Sequence, residues 1–457
     1  MHYLGMNIPV RNRPELDDSY IPLFSFFQAF SADAAEPLDI ALERADGQIA
    51  VWHTHLRGTP DARQADLFYA QKLIKLFLWI KGGFRLYLAG NEAVCRAVQA
   101  SYAPGGDRNF DRGFMEDVYE RPFEVCLCSR VPPESGASAS VGRHLDGCRI
   151  GFDAGGSDLK VSAVVEGKPV FSQEIVWFPK DHADPSYHYG CIVEAMRTAA
   201  QYLPRVDAIG VSSAGVYVNN RPMVASLFLK VPRELWRTQV KDIYLHAAQE
   251  LGGVPITVCN DGDVTALAGS MALRENSVLG VAMGTSEAVG YVDENGNITG
   301  WLNELAFAPV DAAPGAPVDE WSGDVGCGTK YLAQDAVTRL ALRAGIPLDL
   351  QTTPAEQLRT VQLLMEDDDP RAAAVYRSIG VYLAHTLALY EDFYHFRHVL
   401  LLGRVMSGRG GDLLLAEACR VLDDEYPEIA GHICVQLPDE KIRRVGQSVA
   451  AASLPSL

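Results

Sequence analysis

The sequence has no run of about twenty uninterrupted apolar residues; its best candidate, residues 66–83, carries Lys72, Lys75 and Lys81 inside it. No membrane span is therefore expected. It also has no excess of positive charge. Forty Lys and Arg stand against 58 Asp and Glu, a formal net charge of −18. A surface that acidic repels a phosphate backbone, so nucleic acid is not an expected partner. No CxxC pair occurs among nine scattered cysteines. An odd number of isolated thiols suits a reducing compartment better than a disulfide framework. The first residues, MHYLGMNIPVRNRPELDDSY, lack the basic start and apolar stretch of a secretion signal, and a cytoplasmic protein is expected. No GxxxxGK[ST] segment is present, so P-loop chemistry is not expected either.

What is present divides at about residue 148. Residues 1–147 read as an N-terminal α+β extension. They hold a hairpin over 39–58, a helix over 66–83 stopped by Gly82 and Gly83, a strand over 123–131 and a Pro/Ser/Gly-rich linker over 131–144. This is not the short-helix-plus-wing pattern of a DNA-binding module. From Cys148 onward strands alternate with helices, which predicts mostly parallel sheets covered by helices. Among the expected elements are a strand over 288–298, helices over 233–251 and 328–345, and two helices, 355–365 and 371–394, around an acidic turn. GFDAGGS (151–157) and GVAMGTS (280–286) superpose without a gap, and each runs on into a second strand and a hairpin turn. Chance similarity of Gly-rich hairpins is the alternative to a duplication. The duplication predicts two lobes, 148–275 and 276–457, with a cleft between them.

Three segments have chemistry in them. Asp153-Ala-Gly155-Gly156-Ser157-Asp-Leu-Lys160 is a tight turn whose glycines permit close approach. Its amides suit phosphate oxygens, and Asp153 suits a water-mediated Mg²⁺. A ligand-free hairpin is the competing reading. The second copy keeps Gly284, Thr285 and Ser286 but has Ala282 in place of the Asp, so only one lobe offers a metal-handling carboxylate. Asn260-Asp261-Gly-Asp263 stands between an apolar strand and a helix. Asp261 there either caps the helix or takes a proton from an attacking hydroxyl. Asp263 is the better cap on sequence grounds, which leaves Asp261 free. His53 and His55 share a face of a predicted strand, without a third metal ligand nearby.

These segments, followed by Gly-Arg-Val-Met-Ser-Gly at 403–408, resemble in order and spacing the ROK family of bacterial sugar kinases and sugar-responsive repressors. The resemblance covers roughly residues 148–457. It implies a duplicated actin-like (ribonuclease H-like) α/β fold with a central cleft, belonging to the actin–hexokinase superfamily. It implies ATP and Mg²⁺ as cofactors, a sugar as substrate, and a homodimer as the frequent assembly. It implies Asp261 as general base, with Asn260, Glu304 and Ser213 on the sugar side. Asp153, Gly155, Gly156, Ser157 and Lys160 form the first phosphate loop, and Gly284, Thr285 and Ser286 the second. Gly403 and Gly408, with Gly410 and Gly411, lie on the adenosine side. The sequence departs from the family at its zinc motif: Phe307 stands for the His, and only Cys327 remains of three cysteines. One thiolate cannot make a tetrahedral site, so no zinc is expected. Thr329 replaces a second sugar-binding Glu, Glu287 places a carboxyl in the second phosphate loop, and Arg404 replaces a glycine. A non-catalytic sugar sensor and an ATPase acting on a protein partner are the alternatives to a sugar kinase.

Overall fold

The computed structural model describes residues 1–136, 141–438 and 446–457. Part of the expected linker, residues 137–140, lies outside them. The N-terminal chain forms a four-stranded sheet: β1 (Glu36–Glu43) and β2 (Ile49–Leu56) pair antiparallel, β3 (Arg85–Ala89) runs antiparallel to β1, and β4 (Glu124–Leu127) is parallel to β3. Helices α1 (Leu23–Ser31), α2 (Arg63–Lys81), α3 (Glu92–Ser101) and α4 (Asn109–Tyr119) accompany it. Helix α2 is buried nearly all round over 72–80, where Lys72 and Lys75 are enclosed together with Leu73, Leu76, Phe77, Trp79 and Ile80.

The first lobe is a five-stranded sheet. β5 (Cys148–Ala154), β6 (Asp158–Val165) and β7 (Lys168–Val176) form an antiparallel meander, while β8 (Ala208–Ser213) and β11 (Ile256–Asn260) add parallel strands beyond β5. A small hairpin, β9 (Val216–Val218) and β10 (Arg221–Val224), intervenes. Strand β5 is buried along its whole length, the signature of a strand covered on both faces. Helices α5 (Pro185–Ala200) and α6 (Ile243–Glu250) cover one face, and α7 (Asp261–Leu273) leads out of β11 towards the second lobe. The expected single helix over 233–251 is interrupted. A helical turn and a π segment, Trp236–Val240, precede α6, and the extra residue re-phases the chain so that Val240, Ile243 and Tyr244 all face the core.

The second lobe repeats the scheme with one strand fewer. β12 (Val278–Met283) and β13 (Glu287–Val292) are antiparallel, and β14 (His398–Leu402) and β15 (Cys434–Gln436) are parallel additions. The expected strand over 288–298 stops at Val292. A turn follows, and the third strand of the meander is reduced to a bridge between Ile298 and Val292. The chain leaves the sheet there because its next residues bond to α2: the amides of Asn303 and Glu304 donate to the carbonyls of Ile80 and Trp79. Helix α8 (Gln334–Arg343) is shorter than expected, since Ala333 is extended and the Gln334 amide donates to Gly284. Helices α9 (Pro354–Glu366), α10 (Pro370–Tyr394) and α11 (Gly408–Glu425) complete the lobe.

Two packing features position the site. A single apolar cluster joins the N-terminal chain to the second lobe, running through Leu38, Leu73 and Trp79 to Val281, Phe307 and Tyr382. The first lobe keeps a core of its own. The last helix, α12 (Gln447–Ala452), returns from the second lobe to lie on the first sheet and on α7. A Cβ at Gly151 or Gly210 would overlap its carbonyls of Ser448 and Ala451, so glycine is required at both positions. Among the described residues no helix is long and apolar enough to cross a membrane.

Candidate functional site

The carboxyl ends of β5, β8 and β11 lie side by side, with Asp153 opposite Ser212 and Ser213 opposite Asn260. Open α/β sheets hold ligands at this edge. Asp153 is buried and accepts a 2.7 Å hydrogen bond from the Ser212 hydroxyl. Burial pushes its carboxyl up to about 6, with Asp261 nearby adding to the rise. The turn after it is rigid: the Gly155 amide donates to the Asp158 carbonyl, and the Trp177 indole donates to the Gly155 carbonyl at 2.8 Å. Gly156 and Ser157 are exposed at its tip. Lys160 is held by Asp158 at 2.8 Å. A second cation, Lys180, brings its amine to within 3.6 Å of where a Gly156 Cβ would stand. It lies on the loop after β7, twenty-four residues from Gly156, and no motif marks it.

Asn260 is the N-cap of α7, accepting from the Gly262 amide at 2.7 Å and donating to the Gly215 carbonyl at 2.8 Å. This corrects the expectation that Asp263 is the cap. Asp263 turns inward instead, accepting from the Tyr291 amide at 3.1 Å and the Asn303 side chain at 2.9 Å. Asp261 opens the first turn of the helix, with burial raising its carboxyl. Glu304 reaches the same place from the second lobe. Burial, then the charges of Asp261 and Asp263, push it up to about 7, and burial raises Asp263 to about 7 as well. Asp261 is thus the group that Asp153, Asp263 and Glu304 all feel, and Glu304 feels Asp263 as well.

Ser213 does not join them. It is fully buried, and its hydroxyl is engaged by Tyr244 at 2.9 Å and Tyr217 at 2.6 Å. In this structure its hydroxyl is thus occupied by two tyrosines.

The second Gly-rich turn, between β12 and β13, leaves Thr285 and Ser286 exposed. Its Gly284 amide donates to the Ser286 carbonyl, and Ser286 meets Thr329 at 3.2 Å. Gly403, at φ 91°, packs on the Met283 backbone too closely for any side chain. Beyond it opens a cavity of about 690 Å³ lined by Thr265, Gly269, Leu402, Gly403, Gly408 and Gln447. Glu287 does not repel a ligand in this turn, contrary to the sequence reading. β13 directs it into the interior, where Tyr390 donates to it at 3.0 Å and burial pushes it up to about 8. Burial thus favours its protonated form.

Phe307 stands in an aromatic cluster with Trp79 (4.7 Å between ring centroids), Phe110, Phe114 and Trp321. Beside it Cys327 is fully buried near Lys72 and Lys75. Lys75 bonds Asp111 at 2.8 Å and also Asp324, which Arg108 pairs with in turn. Trp79, Phe110 and Phe114 come from the N-terminal chain, as do Lys75, Asp111 and Arg108, while Trp321 and Asp324 belong to the second lobe.

No family model matches the sequence, and no curated protein matches it significantly. Solved structures do. A ROK hexokinase from Thermus thermophilus superposes with a TM-score of 0.50 at 20% identity, covering 67% of this chain and 97% of the other. The fold is that of the ROK proteins. A ROK family transcriptional regulator, described as a homologue of the E. coli MLC protein, gives a TM-score of 0.53 at 15% identity, covering 68% of this chain and 79% of its own. The part sequence reasoning missed, Lys180 and the inward Asp263–Asn303 pair, depends on contacts between segments remote in sequence.

Proposed function

We propose that this chain is a ROK family member that transfers the γ-phosphoryl group of ATP to a sugar hydroxyl. The observation carrying the proposal is the placement of Asp261. It opens α7 at the sheet edge, between Asp153 of the first lobe and Glu304 of the second. In the reaction the sugar oxygen forms a bond to the γ-phosphorus as the bond to the ADP oxygen breaks. The hydroxyl proton passes to the Asp261 carboxylate. A base whose affinity for the proton is raised by burial suits this transfer, and positioning supplies most of the rest. Glu304 and Asn260 orient the sugar. The amides and hydroxyls of 155–157 and 284–286, with Lys160 and Lys180, receive the phosphates. The cavity beside Gly403 and Gly408 receives the adenosine.

The carboxyl pair Asp153–Asp261, in which burial and then Asp261 raise the proton affinity of Asp153, fits a divalent cation. Asp153 would hold Mg²⁺ through water, and the ion supplies neutralisation of the phosphate charge.

The test is ATP consumption against a panel of hexoses, amino sugars and sugar alcohols, comparing wild type with Asp261→Ala. The expected result is one sugar-stimulated activity that falls by roughly 10²–10⁴-fold in the variant. Tight sugar binding with no ATP turnover would instead assign the chain to sugar sensing. The sensor reading has one observation in its favour: the Asn260 amide is already bonded at both ends.

A further inference from the structure

The N-terminal chain and the second lobe enclose a cavity of about 380 Å³ away from the interlobe cleft. Two cationic side chains line it: Arg44, from the turn between β1 and β2, and Lys81, the last residue of α2. Arg44 is 9% exposed. It donates to the Gly300 carbonyl, while its Nε atom has no partner. Lys81 stands over Trp301, its Nζ 2.9 Å from the ring centroid. Among the described residues neither cation forms an ion pair. Burial, and then Arg44, push the Lys81 amine down to about 7, against an opposing pull from Glu134.

The acids on the cavity wall act on this pair only at a distance, and none bonds to it. Glu134 and Glu294 are exposed to water. Asp293 accepts the amides of Asn295 and Asn297 within its own turn, at 2.9 and 2.8 Å. Two neighbouring cations in a largely buried space, with no anion bonded to either, are costly. A guanidinium fork beside an ammonium matches the oxygens of a phosphate or carboxylate, and the volume suits a small molecule.

We propose that this cavity binds the oxyanion head group, phosphate or carboxylate, of a small metabolite between Arg44 and Lys81. The site is connected to the cleft. Tyr291 and Tyr394 line the cavity. The Tyr291 amide donates to Asp263, and the Tyr394 hydroxyl donates to Asn303, which donates to Asp263 in turn. An occupant therefore bears on the residues directly behind Asp261. The inference does not depend on the kinase reading.

The test uses the full-length protein. An amine with lowered proton affinity reacts readily with an acylating reagent at neutral pH, so Lys81 reports on its own site. Its acetylation rate is followed by peptide mass spectrometry in a non-phosphate buffer, alone and with inorganic phosphate or malonate. The expected result is slowing at Lys81, by either probe, while lysines outside the cavity and the two glycine turns keep their rates; which probe protects tells phosphate from carboxylate. Calorimetric titration of the protecting probe should give binding about tenfold or more weaker in Lys81→Gln and Arg44→Gln, the loss of one charge-assisted hydrogen bond, and unchanged in Lys180→Gln. Protection by neither probe overturns the proposal. So does binding that survives Lys81→Gln and disappears in Lys180→Gln, which would place the anion in the interlobe cleft.

Discussion

Glu287 is the residue whose sequence position and structural role differ most. Next to Ser286 it reads as a carboxylate aimed at a phosphate, yet along β13 it alternates inward, with Ser286 and Ala288 exposed on either side. Its proton affinity gives a test with a definite sign. The folded-state value is raised to about 8 from an ordinary 4.5. Stability from this group is therefore full below the unfolded value and is lost as pH rises through the folded one. Glu287→Gln removes the titration. Its unfolding free energy relative to wild type, read from urea denaturation, should rise steadily between about pH 5 and pH 8, at up to about 1.4 kcal/mol per pH unit. Parallel pH profiles for the two proteins would show that Glu287 is ionised when folded. Asp263 teaches the same lesson. Both it and Asn260 are good helix caps by type, and what decides between them is Tyr291 and Asn303, 28 and 40 residues away.

At the scale of elements, local signals were legible and long-range ones were not. The glycine turns, the hairpin over 39–58 and helix α2 were readable because their patterns repeat within a few residues. The missing third strand of the second lobe was not, since the partner that draws the chain off the sheet is α2, over 200 residues earlier. Helix α2 thus takes over part of the second lobe's construction. Lys75 is its most exposed point of failure. It is 1% exposed and bonds Asp111, itself fully buried and bonded also by the Trp79 indole. Lys75→Met leaves that carboxylate without its cation and should cost about 3–5 kcal/mol in urea unfolding. Adding Asp111→Leu should recover part of the loss. An additive double variant would show that the two residues do not act as a pair.

For the molecule as a whole, the continuous cluster from Leu38 to Tyr382 means that the N-terminal chain is built into the second lobe. Expressing residues 148–457 alone uncovers Phe307, Val281 and their neighbours, and the product should aggregate on size-exclusion chromatography. A soluble, cooperatively melting fragment would show the N-terminal chain to be an independent unit. Ion pairs from α4, Asp117 with Arg233 and Glu120 with Lys241, tie the same chain to the first lobe. The N-terminal chain therefore contacts both sides of the cleft. The return of α12 onto the first sheet has a consequence in time. The ribosome emits Gly210 some 240 residues before the helix that covers it, a delay of roughly 10–50 s at ordinary synthesis rates. Through that interval the nascent first lobe exposes a bare sheet face with glycines at its centre, and that face is where a chaperone would be needed first.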